Sequence, residues 1–123
     1  MPVNERDNQI LEKILKYCNE IESAHDDFGW SFDRFCNSST YRNAVAMCLL
    51  QIGELTNKLS EDFKSTHKQI PWRAIRGMRN VVAHEYGKID VETVWETAEN
   101  GTQDLMEFCR QELSKVPELT EDL

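Results

Sequence analysis

Apolar residues recur every three or four positions along most of this chain, and this spacing constrains the fold more than any other feature. Between about Asn8 and Ala24 the recurring residues are Ile10, Ile14, Cys18 and Ile21. A spacing of three and four follows the 3.6-residue turn of an α-helix and places these residues on one face. The stretch therefore predicts an amphipathic first helix whose apolar face packs against the rest of the chain.

Three further helices are predicted by the same spacing. Ser38 or Ser39 can cap a second long helix, whose apolar residues are Tyr41, Val45, Cys48, Ile52, Leu55 and Leu59. Pro71 suits the first position of a third helix, because a proline lacks the N–H that would stay unbonded there. Asp90 can cap a last long helix, which we expect to run without interruption to about Lys115.

The segments between these helices are short. Residues 25–37 predict a turn followed by at most a short helix, and Ser60 begins a short helical turn that ends near Thr66. Strand alternation and internal repeats are absent from the sequence. The fold class predicted is all-α, an antiparallel bundle of four to five helices with short connections. We expect one domain over residues 1–116 and a frayed acidic tail over residues 117–123.

The length, hydropathy and cysteine content limit the expected location of the protein and the cofactors that it can use. A length of 123 residues suits one domain that buries a core without metals or disulfides. Because no apolar run approaches the roughly 18 residues of a membrane helix, and the N-terminus lacks a signal-peptide layout, we expect a cytoplasmic protein with no membrane partner. The four cysteines are scattered, and three of them lie on apolar stripes. These three are predicted to be core residues of a protein in a reducing compartment. Because the spacing of the four cysteines fits no zinc or redox motif, we expect no metal and no cofactor.

The charge of the chain is distributed unevenly. A net charge of −8 argues against sequence-blind, high-affinity binding of duplex nucleic acid. From Lys64 to Lys88, however, six basic residues stand against the single acid Glu85, so this basic segment carries +5 and the remainder −13. Two interpretations stay open, a solvated helix face or a surface that binds phosphates.

One cluster of side chains suited to catalysis lies inside the basic segment, from Arg79 to Tyr86. Arg79 offers a permanently charged fork for a phosphate, and His84 titrates near neutral pH. Five steps of about 100° place His84 about 140° from Arg79 around an ideal α-helix. The two residues can therefore act at one point if the helix loosens or ends near Ala83, which Gly87 favours, or if a second chain completes the site.

The ordered residues of this region resemble the HEPN superfamily, whose motif is an arginine, a polar residue, a few apolar residues and a histidine. Within it the chain is most similar to the HepT-like toxins, over nearly its whole length. The supporting features are the amphipathic first helix, Ile52-Gly53-Glu54, Ile70-Pro71-Trp72-Arg73, Gly77-Met78-Arg79-Asn80, Ile89-Asp90 and Val94-Trp95-Glu96.

The resemblance implies a dimeric, metal-independent endoribonuclease, the toxin of a type VII-like toxin–antitoxin pair. An MntA-like nucleotidyltransferase antitoxin would inactivate it by attaching AMP to Tyr86. By position, the resemblance implies Arg79 and His84 as catalytic residues, and Asn80 and Glu54 as supporting residues. The basic residues predicted to bind the RNA substrate are Arg73, Arg76 and Lys88.

Two other interpretations stay open. The first is a non-catalytic helical module that binds a nucleotidyltransferase partner or a nucleotide. The second is a purely structural bundle without a cleft, in which Arg79 pairs with Glu54 or Glu85 and His84 caps a helix. His25 and His67 have no partner at useful spacing and are predicted to be structural.

Overall fold

In the computed structural model, residues 5–85 and 91–115 are described, with side chains over 5–79 and 91–115. These residues form α-helices and one π-helical turn, and the described ranges contain no strand, so the predicted all-α bundle is confirmed. The elements are α1 (Glu5–Asp27), α2 (Phe32–Asn37), α3 (Ser39–Lys58), α4 (Glu61–Thr66), α5 (Trp72–Glu85), α6 (Val91–Glu96), the π turn (Thr97–Gly101) and α7 (Thr102–Ser114). No helix among them is both long and apolar enough to cross a membrane. The predicted tail over 117–123 and the Asp90 cap lie outside the described residues.

Serine side chains fix the start of three helices. Ser31, Ser38 and Ser60 each accept a hydrogen bond from the backbone N–H three residues later, at 3.1–3.2 Å. Each bond satisfies one of the N–H groups that a helix leaves unpaired in its first turn. Of the two predicted caps of α3, the structure selects Ser38.

Asp7 ties the beginning of α1 to the turn between α3 and α4. Its buried carboxylate accepts hydrogen bonds from the backbone N–H of Ser60 at 2.9 Å and from its hydroxyl at 2.6 Å. Ser60 therefore caps α4 while it anchors the first helix.

The predicted uninterrupted last helix is wrong in one detail, because a π turn separates α6 from α7. Val94, Ala98 and Thr102 are all buried. Two successive steps of four residues would rotate a buried face by about 80° in an α-helix. The wider turn offsets this rotation and keeps the three residues on the core, with the N–H of Thr102 bonded to the carbonyl of Thr97.

The core lies between α1, α3 and α7, and α1 packs extensively against both of the other two helices. As predicted, Cys18, Cys48 and Cys109 are buried, whereas Cys36 is exposed. Burial raises the pKa of Cys48 and of Cys109 to about 12, so both thiols stay protonated. They act as small apolar residues of the core.

His25 and His67 are structural, as predicted, and each has a partner that sequence spacing does not reveal. The imidazole of His25 is fully buried, hydrogen-bonds the hydroxyl of Tyr41, and stacks on Trp30 with ring centroids 4.2 Å apart. His67 lies 3.1 Å from a carboxylate oxygen of Glu112. Both partners are distant in sequence, and helix packing brings them together.

A candidate active site on the fifth helix

α5 carries the predicted catalytic residues and begins one residue later than predicted. The carbonyl of Pro71 accepts the first helical bond, from the N–H of Ile75 at 3.1 Å. The indole of Trp72 donates to the carbonyl of His67 at 3.0 Å and anchors the start of the helix. Because α5 continues to Glu85, the expected loosening or ending near Ala83 is wrong. Positions 79 and 84 thus stay about 140° apart around the helix.

Gly53 sets the distance between α3 and α5. A Cβ atom on Gly53 would lie 2.5 Å from the Cβ atom of Arg79, closer than such atoms approach. A glycine inside a helix costs about 1 kcal/mol relative to alanine. Here the cost is offset because the two backbones can meet at the position of Arg79. The glycine therefore determines where Arg79 lies.

Arg79 and Glu54 form an ion pair beside this contact. The Nε of Arg79 donates to the Oε1 of Glu54, and the two side chains are 38% and 43% exposed. An exposed ion pair adds little to the stability of the fold. It does hold the guanidinium in one orientation at the surface, where a phosphate can approach. The pairing with Glu54 is also the one that the purely structural interpretation predicts.

A slot opens between α5 and the last helix, contrary to the structural interpretation, which predicts no cleft. Among the described residues, α3 is the element with which α5 packs extensively, and none of residues 72–79 is buried. The slot has a volume of about 560 Å³. The described residues that line it are Leu49, Ile52, Ile70, Pro71, Ala74, Ile75, Gly77, Met78, Thr93, Thr97, Gly101, Thr102, Asp104 and Leu105.

The basic segment presents fewer cations to solvent than its composition suggests. Lys68, Arg73 and Arg76 are exposed. Lys64 is largely buried, and its ammonium group lies 3.2 Å from a carboxylate oxygen of Glu61. The exposed face of α5 around Arg73 and Arg76 is thus the part of the segment suited to a phosphate chain.

The structure brings together some of the predicted site residues. Arg79 and Glu54 are in contact, and Arg73 and Arg76 lie on the same helix as Arg79. The side chains of Asn80 and His84, and residues Tyr86 and Lys88, lie outside the described residues, and their roles stay predictions. Among the described side chains, no group of three or more His, Cys, Asp or Glu residues is arranged to hold a metal ion.

Sequence analysis missed the slot, and it identified Gly77 only as part of the motif Gly77-Met78-Arg79-Asn80. The signal available was Gly77 itself, which, like Gly53 in α3, lies inside a helix that otherwise carries good helix formers. Its meaning depends on the neighbouring helices, because a glycine can serve internal packing, as Gly53 does, or leave space for another molecule.

Comparison with known proteins assigns the family. The family described as Ribonuclease HepT-like matches residues 14–112. A protein named "Probable ribonuclease HepT" from Thermococcus cleftensis is 36% identical over 89 residues, which cover 72% of this chain and 73% of that protein. A protein of Caldanaerobacter subterraneus subsp. tengcongensis, named as a candidate RNase, is 30% identical over 105 residues, or 85% of this chain and 92% of the relative. No solved structure matches significantly.

A helical bundle with an arginine–glutamate pair between its third and fifth helices thus falls within a class of RNA-cleaving enzymes. The chain belongs to the ribonuclease HepT-like family, since the family match spans residues 14–112. The resemblance and the prediction of an RNA-cleaving enzyme are confirmed by this membership.

Proposed function

We propose that this protein is a metal-independent endoribonuclease toxin that acts in the cytoplasm as a homodimer. The observation that carries the proposal is the exposed Arg79 guanidinium, held by Glu54 on the helix that also carries His84, in a chain of this family. The pair supports an electrostatic role for Arg79, because a fixed and permanently charged donor stabilises negative charge that develops in a transition state.

The chemistry uses the substrate's own nucleophile. The 2′-hydroxyl of one nucleotide attacks the adjacent phosphorus, and the bond from phosphorus to the 5′-oxygen of the next nucleotide breaks. The products are a 2′,3′-cyclic phosphate and a free 5′-hydroxyl. His84 transfers a proton from the attacking oxygen or to the leaving oxygen. Arg79 stabilises the extra negative charge on the pentacoordinate phosphorus.

Two chains are needed to complete this site. Helical continuity through Glu85 keeps positions 79 and 84 of one chain on different faces. Two proton transfers also exceed what one imidazole easily provides. A two-fold axis would pair Arg79 of one chain with His84 of its partner and would double the basic surface that faces RNA.

The activity is tested with purified protein, a labelled single-stranded RNA and excess chelator. Wild type should yield cyclic-phosphate ends, whereas Arg79→Ala and His84→Ala should lose at least a hundredfold in rate while they keep the helical content and the dimer. Arg34→Ala is the matched control, because Arg34 is exposed on α2, away from α5. Cleavage by His84→Ala at the wild-type rate would remove His84 from the mechanism.

The shared site is tested by mixing inactive variants. After joint refolding, Arg79→Ala and His84→Ala chains form mixed dimers with one complete site if the two residues act across the interface. Up to half of the wild-type activity per mixed dimer should return. If both residues act within one chain, the mixture stays inactive, and the two-chain site is refuted.

We further propose that an MntA-like nucleotidyltransferase antitoxin silences the enzyme by transferring AMP to Tyr86. The added phosphate would place bulk and negative charge two residues from His84 and compete with RNA for Arg79. Co-expression with such a transferase should add one or more AMP masses to the wild type and none to Tyr86→Phe. Modification at another residue would contradict the assignment.

A further inference from the structure

Gly77 lies inside α5, where its lack of a side chain has no explanation within the chain. A Cβ atom on Gly77 would meet no atom of the described residues within 4 Å, in contrast to Gly53. Its backbone does not require glycine either, because Gly29 is the glycine at positive φ in the described part of the chain. A glycine without an internal reason is typical of a position where another molecule approaches the backbone.

Gly77 also separates two surfaces of different chemistry. It lies four residues after the exposed Arg73 and three residues after Ala74, and residues at these spacings are neighbours on a helix surface. Arg73 and Arg76 belong to the basic face, whereas Ala74 lines the slot. A phosphate held on the basic face is therefore separated from the slot by bare helix backbone.

The slot has the size and lining of a site for a mostly apolar group. Its volume of about 560 Å³ falls in the range of small-molecule sites. Ile52, Ile75, Met78 and Leu105 supply apolar walls, and the exposed carboxylate of Asp104 lies at its edge. A carboxylate accepts hydrogen bonds and donates none.

We propose that this slot binds one unstacked base of the RNA, with a preference for guanine, an inference that rests on the proposed function. Sequence-specific recognition of RNA generally targets unpaired bases that are turned out of the strand. Of the four bases, guanine alone presents two adjacent N–H donors on its Watson–Crick edge, and these match the two oxygens of Asp104. Arg73 and Arg76 hold the phosphates, and Gly77 lets the strand cross the helix.

The slot lies at a fixed distance from the scissile linkage. Position 84 follows Gly77 by seven residues, which corresponds to two helical turns or about 10 Å along the axis. The bound base would belong to a nucleotide close to the cut. The slot therefore determines sequence preference beside the cleavage point.

Binding without cleavage tests the slot. In full-length His84→Ala protein, fluorescence anisotropy is measured with labelled oligouridylates that contain one guanosine, inosine, adenosine or cytidine. The guanosine probe should bind about tenfold more tightly than the others, and inosine, which lacks the 2-amino group, should fall between. Asp104→Asn should remove this preference, measured as the ratio of the affinities for the guanosine probe and for oligouridylate. Glu107→Gln removes the same charge one turn further along α7 and should keep the preference for guanosine.

Gly77→Ala supplies a second, independent readout. Because the new methyl group has space and alanine favours a helix, Tm should rise by about 2–6 °C, while the guanosine preference falls at least fivefold. A role limited to packing would not raise stability and weaken binding together. Equal affinity for all four probes would overturn the proposal, as would dissociation of the dimer by Gly77→Ala, which would assign the slot to a second copy.

Different experimental results would refute the proposed base-binding slot and the proposed ribonuclease activity. Guanosine preference in binding together with an absence of cleavage by wild type would refute the ribonuclease activity and retain the slot. Cleavage with no base preference near the cut would refute the slot and retain the activity.

Discussion

The helices α3 and α5 lie side by side and differ sharply in burial. Nine of the 20 residues of α3 are buried, whereas none of residues 72–79 of α5 is buried. α3 is enclosed by α1, α2 and α5, while α5 packs extensively on α3 and faces a slot on the side of the last helix. The difference indicates that stability resides in α1, α3 and α7, whereas the proposed catalytic residues lie on a helix with open faces.

The largest expected effect comes from truncating the enclosed region. Leu11→Ala or Ile14→Ala removes a fully buried side chain and should lower the free energy of unfolding by about 2–5 kcal/mol. Ile75→Ala on α5 is the matched change at a half-buried position and should cost about 1 kcal/mol. Urea denaturation measures both. An equal loss at the two positions would contradict the comparison.

Gly53→Ala should affect stability and activity together. The added methyl group would force α5 away from α3, because its carbon would lie 2.5 Å from the Cβ of Arg79. We expect a loss of about 1–3 kcal/mol and at least a tenfold slower cleavage, since Arg79 moves with α5. Gly101→Ala is the control for stability, because its new methyl group would meet Thr97 at an ordinary 3.7 Å. Unchanged cleavage by Gly53→Ala would show that the site tolerates a shift of α5.

Asp7→Ala should lower stability and spare activity. The change leaves the hydrogen-bond donors of Ser60 without their carboxylate partner, at a cost of about 1–3 kcal/mol. RNA cleavage at a temperature where the protein stays folded should equal that of wild type. Asp27→Ala, at an exposed position of the same helix, should be neutral on both measures. A matching loss of cleavage would show that α1 supports the site as well as the fold.

His25 should give the smallest effect, a dependence of stability on pH. Burial lowers the pKa of His25 in the folded protein from its usual 6.5, and the backbone of Ala98 partly opposes this. Below about pH 6.5 the unfolded chain therefore binds a proton that the folded protein does not. The free energy of unfolding should fall between pH 7 and pH 5. His25→Gln should make the free energy of unfolding less dependent on pH in this range. His67→Gln is the control and should keep the decrease that His25 causes.

Sequence periodicity was sufficient for the helices, because burial of an apolar face determines them. It did not predict the π turn, since Val94, Ala98 and Thr102 fit an α-helical pattern almost as well. Periodicity also does not predict the contacts between helices. His25 meets Tyr41, and His67 meets Glu112, through packing that local spacing does not encode.

The sequence predicted some residues of the candidate site but not the slot beside them. The motif identified Arg79 and Glu54, and their contact followed as one of two pairings that the sequence left open. The slot could not be predicted, because it results from the spacing between α5 and the last helix. That spacing depends on the close approach of α5 to α3 at Gly53.

Because residues 72–79 of α5 are not buried, heating should abolish activity before it unfolds the domain. Detaching a helix in which none of residues 72–79 is buried costs less free energy than unfolding the whole domain. Mild heating should thus release α5 first, so that its amide protons exchange with deuterium and proteases cut it while α1, α3 and α7 remain assembled. Cleavage of RNA should then be lost at a lower temperature than the helical structure of the domain.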